Sequence, residues 1–311
     1  MTSTEANMII TDFYTSDMHS DADKFMFVEA MHLLIEEYQD PIDIYNLAWH
    51  YAEERRFDLY RKYLEQAAGM DYGQAYEGLG YVWYYGQTGK VDYKKAYDYF
   101  SKGAGCGDDM VKINCTLKLA DMYRYGYYVD KDENRFRELM YEIYDMTQHP
   151  EQIHSVLPAS ELLPDPYINI RIAEICMKDG GNDRAYRLLM EAKMILSDSI
   201  VSNPFWWGNI EEMENVVRLI HELDPEPAGL LDIYDIFWIG KRPSRIRFLY
   251  GDRQFVIECE EVDGSIAVRF DNKWYRDVRS FLEKAEIDGR KVIAEYYELR
   301  EVDYEWISKE E

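Results

Sequence analysis

The chain has 311 residues, of which 47% are hydrophobic, and its formal net charge is −25. Nucleic acids and anionic membrane surfaces attract Lys and Arg, so this charge argues against both as direct partners. Four cysteines without a Cys-x-x-Cys pair, and a polar N-terminus unlike a secretory signal, predict reduced thiols and a cytoplasmic location. No apolar run approaches the ~20 residues that a membrane span needs.

The N-terminal region is predicted to contain a flexible arm and then a capping helix. Residues 1–20 are polar and form the predicted arm. From Asp21 to Tyr38, apolar residues recur at helical spacing, and Pro41 lies just beyond them. This segment is predicted to be a helix that caps a repeat array, because the first apolar face of such an array must be covered.

From residue 43 onwards, the chain repeats one pattern four times, which predicts four helical hairpins. In the first helix of each unit, a small residue follows Leu or Ile, and a large residue usually follows three positions later. The small residues are Ala48, Gly80, Ala120 and Ala173, and the residues three positions later are Tyr51, Trp83, Tyr123 and Cys176. Gly80 costs a helix ~1 kcal/mol relative to Ala, so its presence indicates a close contact between helices.

The second helices repeat as well. Their matching apolar positions are Tyr60, Leu64 and Ala67; Ala96, Phe100 and Gly103; Phe136, Met140 and Ile143; and Ala185, Leu189 and Ala192. Gly86 and Gly126 lie forty residues apart, where the first helices of units two and three are predicted to end. Each hairpin has an uncovered apolar side and must therefore stack on a neighbour.

These residues resemble a known family. Unit two resembles a Sel1-like repeat, and units one and four resemble the shorter tetratricopeptide repeat; the residues of unit two are Ala75, Leu79-Gly80, Tyr85-Gly86, Asp92-Tyr93, Lys95-Ala96, Tyr99-Phe100 and Lys102. The resemblance covers residues 42–195. It implies a right-handed α-solenoid that holds a protein or peptide on its concave face and has no catalytic residues of its own.

The C-terminal part of the chain has a different pattern. Prolines interrupt the repeats between 142 and 165, and helical patterns then continue to residue 240. Residues 241–311 hold 14 Lys and Arg against 17 Asp and Glu, so they are nearly balanced in charge. Strands are predicted at 245–250, 254–259, 266–270 and 302–306, with a hairpin turn at Asp263-Gly264, and helices at 277–286 and 290–299. The predicted fold is mainly α: an α-solenoid over 21–240 and a small α+β domain over 241–311.

Eight residues are candidates for partner binding because they face away from the predicted core on the first helices. They are Tyr45 and Trp49 in unit one, Glu77, Tyr81 and Tyr84 in unit two, Asp121 and Arg124 in unit three, and Glu174 in unit four. All are expected to face solvent. The resemblance implies that this side is the concave groove. An acidic groove with aromatic residues favours a basic or amphipathic segment.

No cofactor or metal site is predicted. The six histidines show no metal-ligand spacing, and the glycine-rich run 103–107 ends a helix instead of opening one as a phosphate-binding loop would. The resemblance to Sel1-like repeats implies a non-enzymatic protein-interaction scaffold, and the oligomeric state stays open. Two alternatives also stay open. One is an acidic inhibitor, either an immunity-type protein or a nucleic-acid mimic, that blocks a basic active site. The other is an enzyme whose site lies in the C-terminal module, which a deep pocket with perturbed carboxylates would favour.

Overall fold

A computed structural model describes residues 1–16, 19–149, 165–203, 207–225 and 231–307. The chain divides into two compact units, Met1–Leu162 and Leu163–Glu311. The domain boundary predicted at residue 240 therefore falls inside the second unit. The proline-rich connection predicted between 142 and 165 lies largely outside the described residues. Within the described ranges, none of the helices is both long enough and apolar enough to span a membrane.

The first unit is built of antiparallel helical pairs. Its helices are α1 (Ser3–Thr15), α2 (Asp21–Tyr38), α3 (Pro41–Glu53), α4 (Phe57–Ala68), α5 (Gly73–Tyr85), α6 (Tyr93–Ala104), α7 (Asp109–Tyr125) and α8 (Glu133–Thr147). The pairs α3–α4, α5–α6 and α7–α8 are the first three predicted hairpins. Gly86 and Gly126 end α5 and α7 with φ angles of +65° and +77°, a conformation that glycine adopts without strain. The prediction of successive helical hairpins is confirmed.

Residues 3–15 form a helix where the sequence predicted a flexible arm. Thr2 and Glu5 form a capping box, in which each side chain accepts a hydrogen bond from the backbone of the other residue. Ala6 is fully buried in a small cluster with Ala30 and Leu34 of α2. Helix α1 is therefore held by packing on α2, which a reading of its polar composition alone overlooks.

Small residues allow the helices of the first unit to approach closely. A Cβ atom added to Gly80 would lie 2.3 Å from Cε1 of Phe100 on α6, and one added to Gly78 would lie 2.9 Å from Cδ1 of Leu64 on α4. Phe100 and Leu64 are both fully buried. Helix α5 is thus pressed between the second helix of its own hairpin and that of the preceding hairpin. The close contact predicted at Gly80 is confirmed.

The second unit begins with helices and ends with a sheet. The helices are α9 (Pro166–Lys178), α10 (Asn182–Ser202), α11 (Trp207–Leu223), α12 (Ile236–Ile239) and α13 (Val278–Lys284). Short 3₁₀ helices occupy Ile233–Asp235 and Val292–Glu298. Helices α9 and α10 pack against each other as the fourth predicted hairpin.

The sheet of the second unit is antiparallel. Its strands are β1 (Ser244–Tyr250), β2 (Arg253–Val262), β3 (Ser265–Phe270), β4 (Lys273–Tyr275) and β7 (Leu299–Trp306), in the order β4-β3-β2-β1-β7, and β5 (Glu286–Ile287) pairs separately with β6 (Arg290–Lys291). The tight turn at Asp263-Gly264 joins β2 and β3, with φ angles of +50° and +79°. One face of the sheet is apolar and packs against α13. Phe270 of β3 contacts Phe281 of α13, with their ring centres 5.4 Å apart. The predicted small antiparallel region is confirmed, and β4 was not predicted.

Candidate functional site

Seven of the eight candidate residues lie on the first helices of the three hairpins in the first unit. We call the partly exposed side of α3, α5 and α7 that carries them the first-helix surface; its candidates are Tyr45, Trp49, Glu77, Tyr81, Tyr84, Asp121 and Arg124. The eighth candidate, Glu174, is half-buried on α9 of the second unit. The structure therefore places seven of the eight candidates on three first helices of one unit.

Glu77 is a half-buried carboxylate near the middle of this surface. The side-chain amide of Asn114 on α7 donates a hydrogen bond to Oε1 of Glu77 at 3.0 Å. Burial, with a smaller contribution from the charge of Asp108, raises the pKa of Glu77 from 4.5 to about 7, although the bond from Asn114 favours ionisation. The carboxylate charge adds to the effect of burial in raising the pKa of Tyr45 and of Tyr60.

No described residue forms a salt bridge with Glu77. A half-buried carboxylate of this kind loses part of its hydration without gaining an opposite charge. Ionisation of Glu77 therefore raises the free energy of the folded chain. A cation brought by another molecule would relieve that cost.

A group of tyrosines lies further along the same surface. This tyrosine cluster consists of Tyr81, Tyr84 and Tyr85 of α5, Tyr93 of α6 and Tyr127 after α7. The rings of Tyr81 and Tyr85 are stacked at 6.0 Å, those of Tyr93 and Tyr127 at 4.4 Å, and Tyr84 meets Tyr85, Tyr93 and Tyr127 edge-on. Tyr85 is 54% exposed, so the cluster presents aromatic area to solvent. Such amphipathic rings are enriched at protein interfaces.

Lys118 of α7 places a positive charge among these rings. Its Nζ lies 5.6 Å from the ring centre of Tyr81 and 5.7 Å from those of Tyr84 and Tyr85, and it donates a hydrogen bond to the Tyr85 hydroxyl at 3.2 Å. A cation held over aromatic faces is stabilised by ~0.5–1 kcal/mol at an exposed site. The tyrosine faces thus favour a cation, and the chain supplies one itself.

The structure divides the other candidates into exposed and covered residues. Trp49 is 47% exposed and Tyr45 is half-buried, with their ring centres 6.3 Å apart. Arg124 is half-buried, and its guanidinium lies 5.2 Å from the ring centre of Tyr125 and 5.4 Å from that of Phe136. The pair Tyr45 and Trp49 extends the aromatic surface onto α3, whereas Arg124 is engaged with rings of its own hairpin.

Asp121 corrects the sequence-based prediction. It was expected to face solvent, but it is only 4% exposed. The equivalent residue of α5 is Tyr81, whose ring packs edge-on against Phe100 at 5.5 Å. A tyrosine at this position is long enough to carry its polar tip towards the surface, whereas an aspartate remains below it. Asp121 lies close enough to Tyr84 to raise the pKa of that phenol, in addition to the larger effect of burial.

Several residues of the site were missed. Asn114 and Lys118, which contact Glu77 and the tyrosine cluster, lie 37 and 34 residues after Glu77 and Tyr84. The repeat offset of forty residues aligns equivalent positions, but Asn114 lies three residues before the position equivalent to Glu77, and Lys118 lies six residues before the position equivalent to Tyr84. The spacing of Asn114 and Lys118 by four residues, which equals that of Glu77 and Tyr81, is the signal that would have identified them.

The second unit contains a buried network of charged residues. Nζ of Lys193 lies 3.0 Å from Oδ2 of Asp232 and 3.0 Å from Oδ2 of Asp235, and Nε2 of His221 lies 3.1 Å from Oδ1 of Asp235. Burial disfavours the charge of Lys193, but the two aspartates hold its pKa above the usual value. Burial raises the pKa of Asp232, whereas the bond with His221 and the charge of Lys193 overcome burial and lower the pKa of Asp235.

The charged groups of this network pair with one another. The network connects α10, α11 and the segment before α12. Removal of one charged side chain would therefore leave the buried charge of its partner without an opposite charge. Within the described ranges, His, Cys, Asp and Glu do not form a group of three or more suited to a metal ion. Cys106, Cys115, Cys176 and Cys259 are free thiols. The perturbed aspartates are the feature that the enzyme alternative called for; burial accounts for the raised pKa of Asp232, and the contacts with His221 and Lys193 account for the lowered pKa of Asp235.

Comparisons with known proteins add one structural likeness. No family model and no curated protein matches the chain. Among solved structures, the chain is similar to the crystal structure of a Sel1 repeat protein from Oxalobacter formigenes, with 16% sequence identity and a TM-score of 0.49. The alignment covers 72% of this chain and 80% of that one. The resemblance of residues 42–195 to Sel1-like repeats is carried by the hairpins and close glycine contacts of the chain itself.

Proposed function

We propose that this chain is a cytoplasmic, non-enzymatic scaffold that binds a basic segment of a partner protein on its first-helix surface. One observation carries the proposal: Glu77 is a half-buried carboxylate that forms no salt bridge with any described residue. An Arg or Lys from a partner would supply the missing charge. Charge-assisted hydrogen bonds to a carboxylate are about twice as strong as neutral ones.

The surroundings of Glu77 support an arginine in particular. Tyr45 lies close enough to Glu77 to feel its charge, and the tyrosine cluster begins one helical turn after Glu77, at Tyr81. A guanidinium can pair with a carboxylate and stack on aromatic rings at the same time, which a compact ammonium does less well. The net charge of −25 favours rapid encounter with a basic partner.

The resemblance to Sel1-like repeats, whose proteins hold partners on a concave face, supports a scaffold in general. The alternative of an acidic inhibitor receives less support from the charge distribution. An inhibitor of that kind calls for acidic residues clustered along one ridge, whereas residues 90–137 contain ten Lys and Arg against eight Asp and Glu, so acidic charge does not dominate this part of the repeats. A scaffold with one buried acidic anchor fits this distribution better than a mimic of nucleic acid.

The test begins with partner capture from the source cytoplasm by the wild type and by Glu77→Gln, followed by calorimetry with the purified partner. Glu77→Gln should weaken binding at least tenfold, which corresponds to ~1.4 kcal/mol. Tyr85→Ala, at an exposed ring, should also weaken it. Glu36→Gln on the exposed side of α2 removes the same charge elsewhere and should leave the affinity unchanged. A partner that binds Glu77→Gln as tightly as the wild type would disprove the proposed surface.

A further inference from the structure

The second unit has a cavity that the proposed scaffold function does not use. Its volume is about 310 Å³, and it lies between α10, the segment before α12 and the 3₁₀ helix Val292–Glu298. Met190 and Met194 of α10 form an apolar wall, and Tyr296 and Tyr297 form an aromatic wall. Ligand sites in proteins have volumes of about 300–1,000 Å³ and combine apolar walls with a few converging polar groups. The cavity fits the lower end of that range.

The polar groups of the cavity are fixed in position. Lys193 and Asp232 line it. Asp232 accepts hydrogen bonds from the backbone amide of Tyr234 at 2.8 Å and from the Tyr296 hydroxyl at 3.2 Å, and it pairs with Lys193 at 3.0 Å. The side chain of Asp232 nevertheless remains 20% exposed, whereas that of Lys193 is 7% exposed. A ligand in the cavity would therefore meet the carboxylate more readily than the ammonium.

The charge balance selects the sign of the ligand. Lys193 is the cationic residue among those that line the cavity, and its ammonium is already shared between Asp232 and Asp235. Asp198, which is exposed, also lines the cavity and brings a carboxylate that forms no ion pair with any described residue there. An anionic ligand would be repelled by these carboxylates. A cation would be attracted by them and by the faces of Tyr296 and Tyr297.

We propose that this cavity is a binding site for small organic cations, in which an ammonium or guanidinium group lies beside Asp232 and Asp198 and a short alkyl chain packs against Met190 and Met194. The site is separate from the first-helix surface, since it is built entirely from residues of the second unit. Its test is therefore independent of whether a protein partner binds to Glu77.

The experiment follows the methionine methyl groups by NMR. The full chain is labelled with ¹³C at the methionine methyls, and Met190→Leu and Met194→Leu identify the two signals from the cavity. Three probes of equal chain length are titrated: pentylamine, pentanol and pentanoate. The Met26 and Met70 methyls, both exposed on the first unit, serve as internal controls.

Pentylamine should shift the Met190 and Met194 signals saturably at millimolar concentration, with at least tenfold weaker effects from pentanol and pentanoate. Tyr297→Ala and Asp198→Asn alter exposed side chains at the cavity and should each weaken pentylamine binding at least threefold, with the other methyl signals in place. Trp274→Ala, at an exposed ring of β4, should not change it. The proposal would be overturned if pentanol bound as tightly as pentylamine, or if pentanoate bound more tightly. It would also be overturned if the shifts appeared equally at Met26 and Met70. The same holds if no shift appeared up to about 10 mM pentylamine, which is tenfold above a Kd of about 1 mM.

Discussion

The substitution Glu77→Gln tests the central feature of the proposed binding surface without needing a partner. A glutamine keeps the acceptor oxygen that receives the hydrogen bond from Asn114 and removes only the charge. Burial raises the pKa of Glu77 from 4.5 to about 7, so the folded chain binds this proton more tightly than the unfolded chain does. One pKa unit corresponds to ~1.4 kcal/mol, so ionised Glu77 destabilises the folded state by up to about 3 kcal/mol.

The sign of this effect sets its pH window. Below pH 4.5 the carboxyl is protonated in both states and costs nothing. Between pH 4.5 and about 7 the unfolded chain releases this proton while the folded chain still holds it. The free energy of unfolding therefore falls as the pH rises through this range. Above that range the whole cost is present. Glu77→Gln should therefore be more stable than the wild type near pH 8 and nearly equal to it near pH 4.5.

Urea denaturation of both proteins at several pH values between about 4.5 and 8 measures this difference directly, because groups that titrate in both proteins cancel. Glu36→Gln, at an exposed position of α2, is the matched control and should stay within ~0.5 kcal/mol of the wild type throughout. If Glu77→Gln gains nothing near pH 8, the carboxylate is already satisfied in the free chain. The reason for expecting a cation from a partner would then be lost.

Two further substitutions test the packing of each unit. Gly80→Ala gains ~1 kcal/mol of helix propensity but places a Cβ 2.3 Å from the buried Phe100 ring, so the melting temperature of this variant should fall. Gly107→Ala is its control: no atom lies within 4 Å of the added Cβ, so this variant should melt at or above the temperature of the wild type. Lys193→Met leaves Asp232 and Asp235 buried together without their cation and should lower stability by ~3–5 kcal/mol, measured by urea denaturation. A melting temperature for Gly80→Ala above that of the wild type, or an unchanged urea midpoint for Lys193→Met, would contradict these interpretations.

The repeat pattern predicted the hairpins because it encodes contacts between helices that are adjacent in the chain. Gly80 is a clear case, since a glycine in mid-helix is costly unless another helix must come close, and Phe100 fills that space. The hairpin turn at Asp263-Gly264 is equally local, because both residues adopt positive φ angles. Features of this kind depend on a few neighbouring residues, and the sequence alone was sufficient to find them.

Contacts between distant segments were less accessible. Asp232 and Asp235 lie three residues apart, but the cation that pairs with both is Lys193, about forty residues earlier on α10. The contact of Lys118 with three tyrosines of α5 depends on how the two helices are offset, which the repeat spacing does not specify. Helix α1 was missed because a polar helix is held by a few buried atoms, of which Ala6 is one.

Asp121 shows why equivalent positions in a repeat need not have equivalent roles, and it provides a final prediction. Because Asp121 is only 4% exposed, Asp121→Lys would place an ammonium below the surface where a carboxylate now lies. The substitution should therefore destabilise the fold by ~3–5 kcal/mol and not merely change the charge of an exposed binding surface. Asp121→Asn keeps the shape and loses only the charge, so its cost should be smaller, at ~1–3 kcal/mol. Thermal melts of the two variants separate these cases. If Asp121→Lys melts like the wild type, the side chain reaches solvent, and the orientation of α7 inferred from the repeat was correct after all.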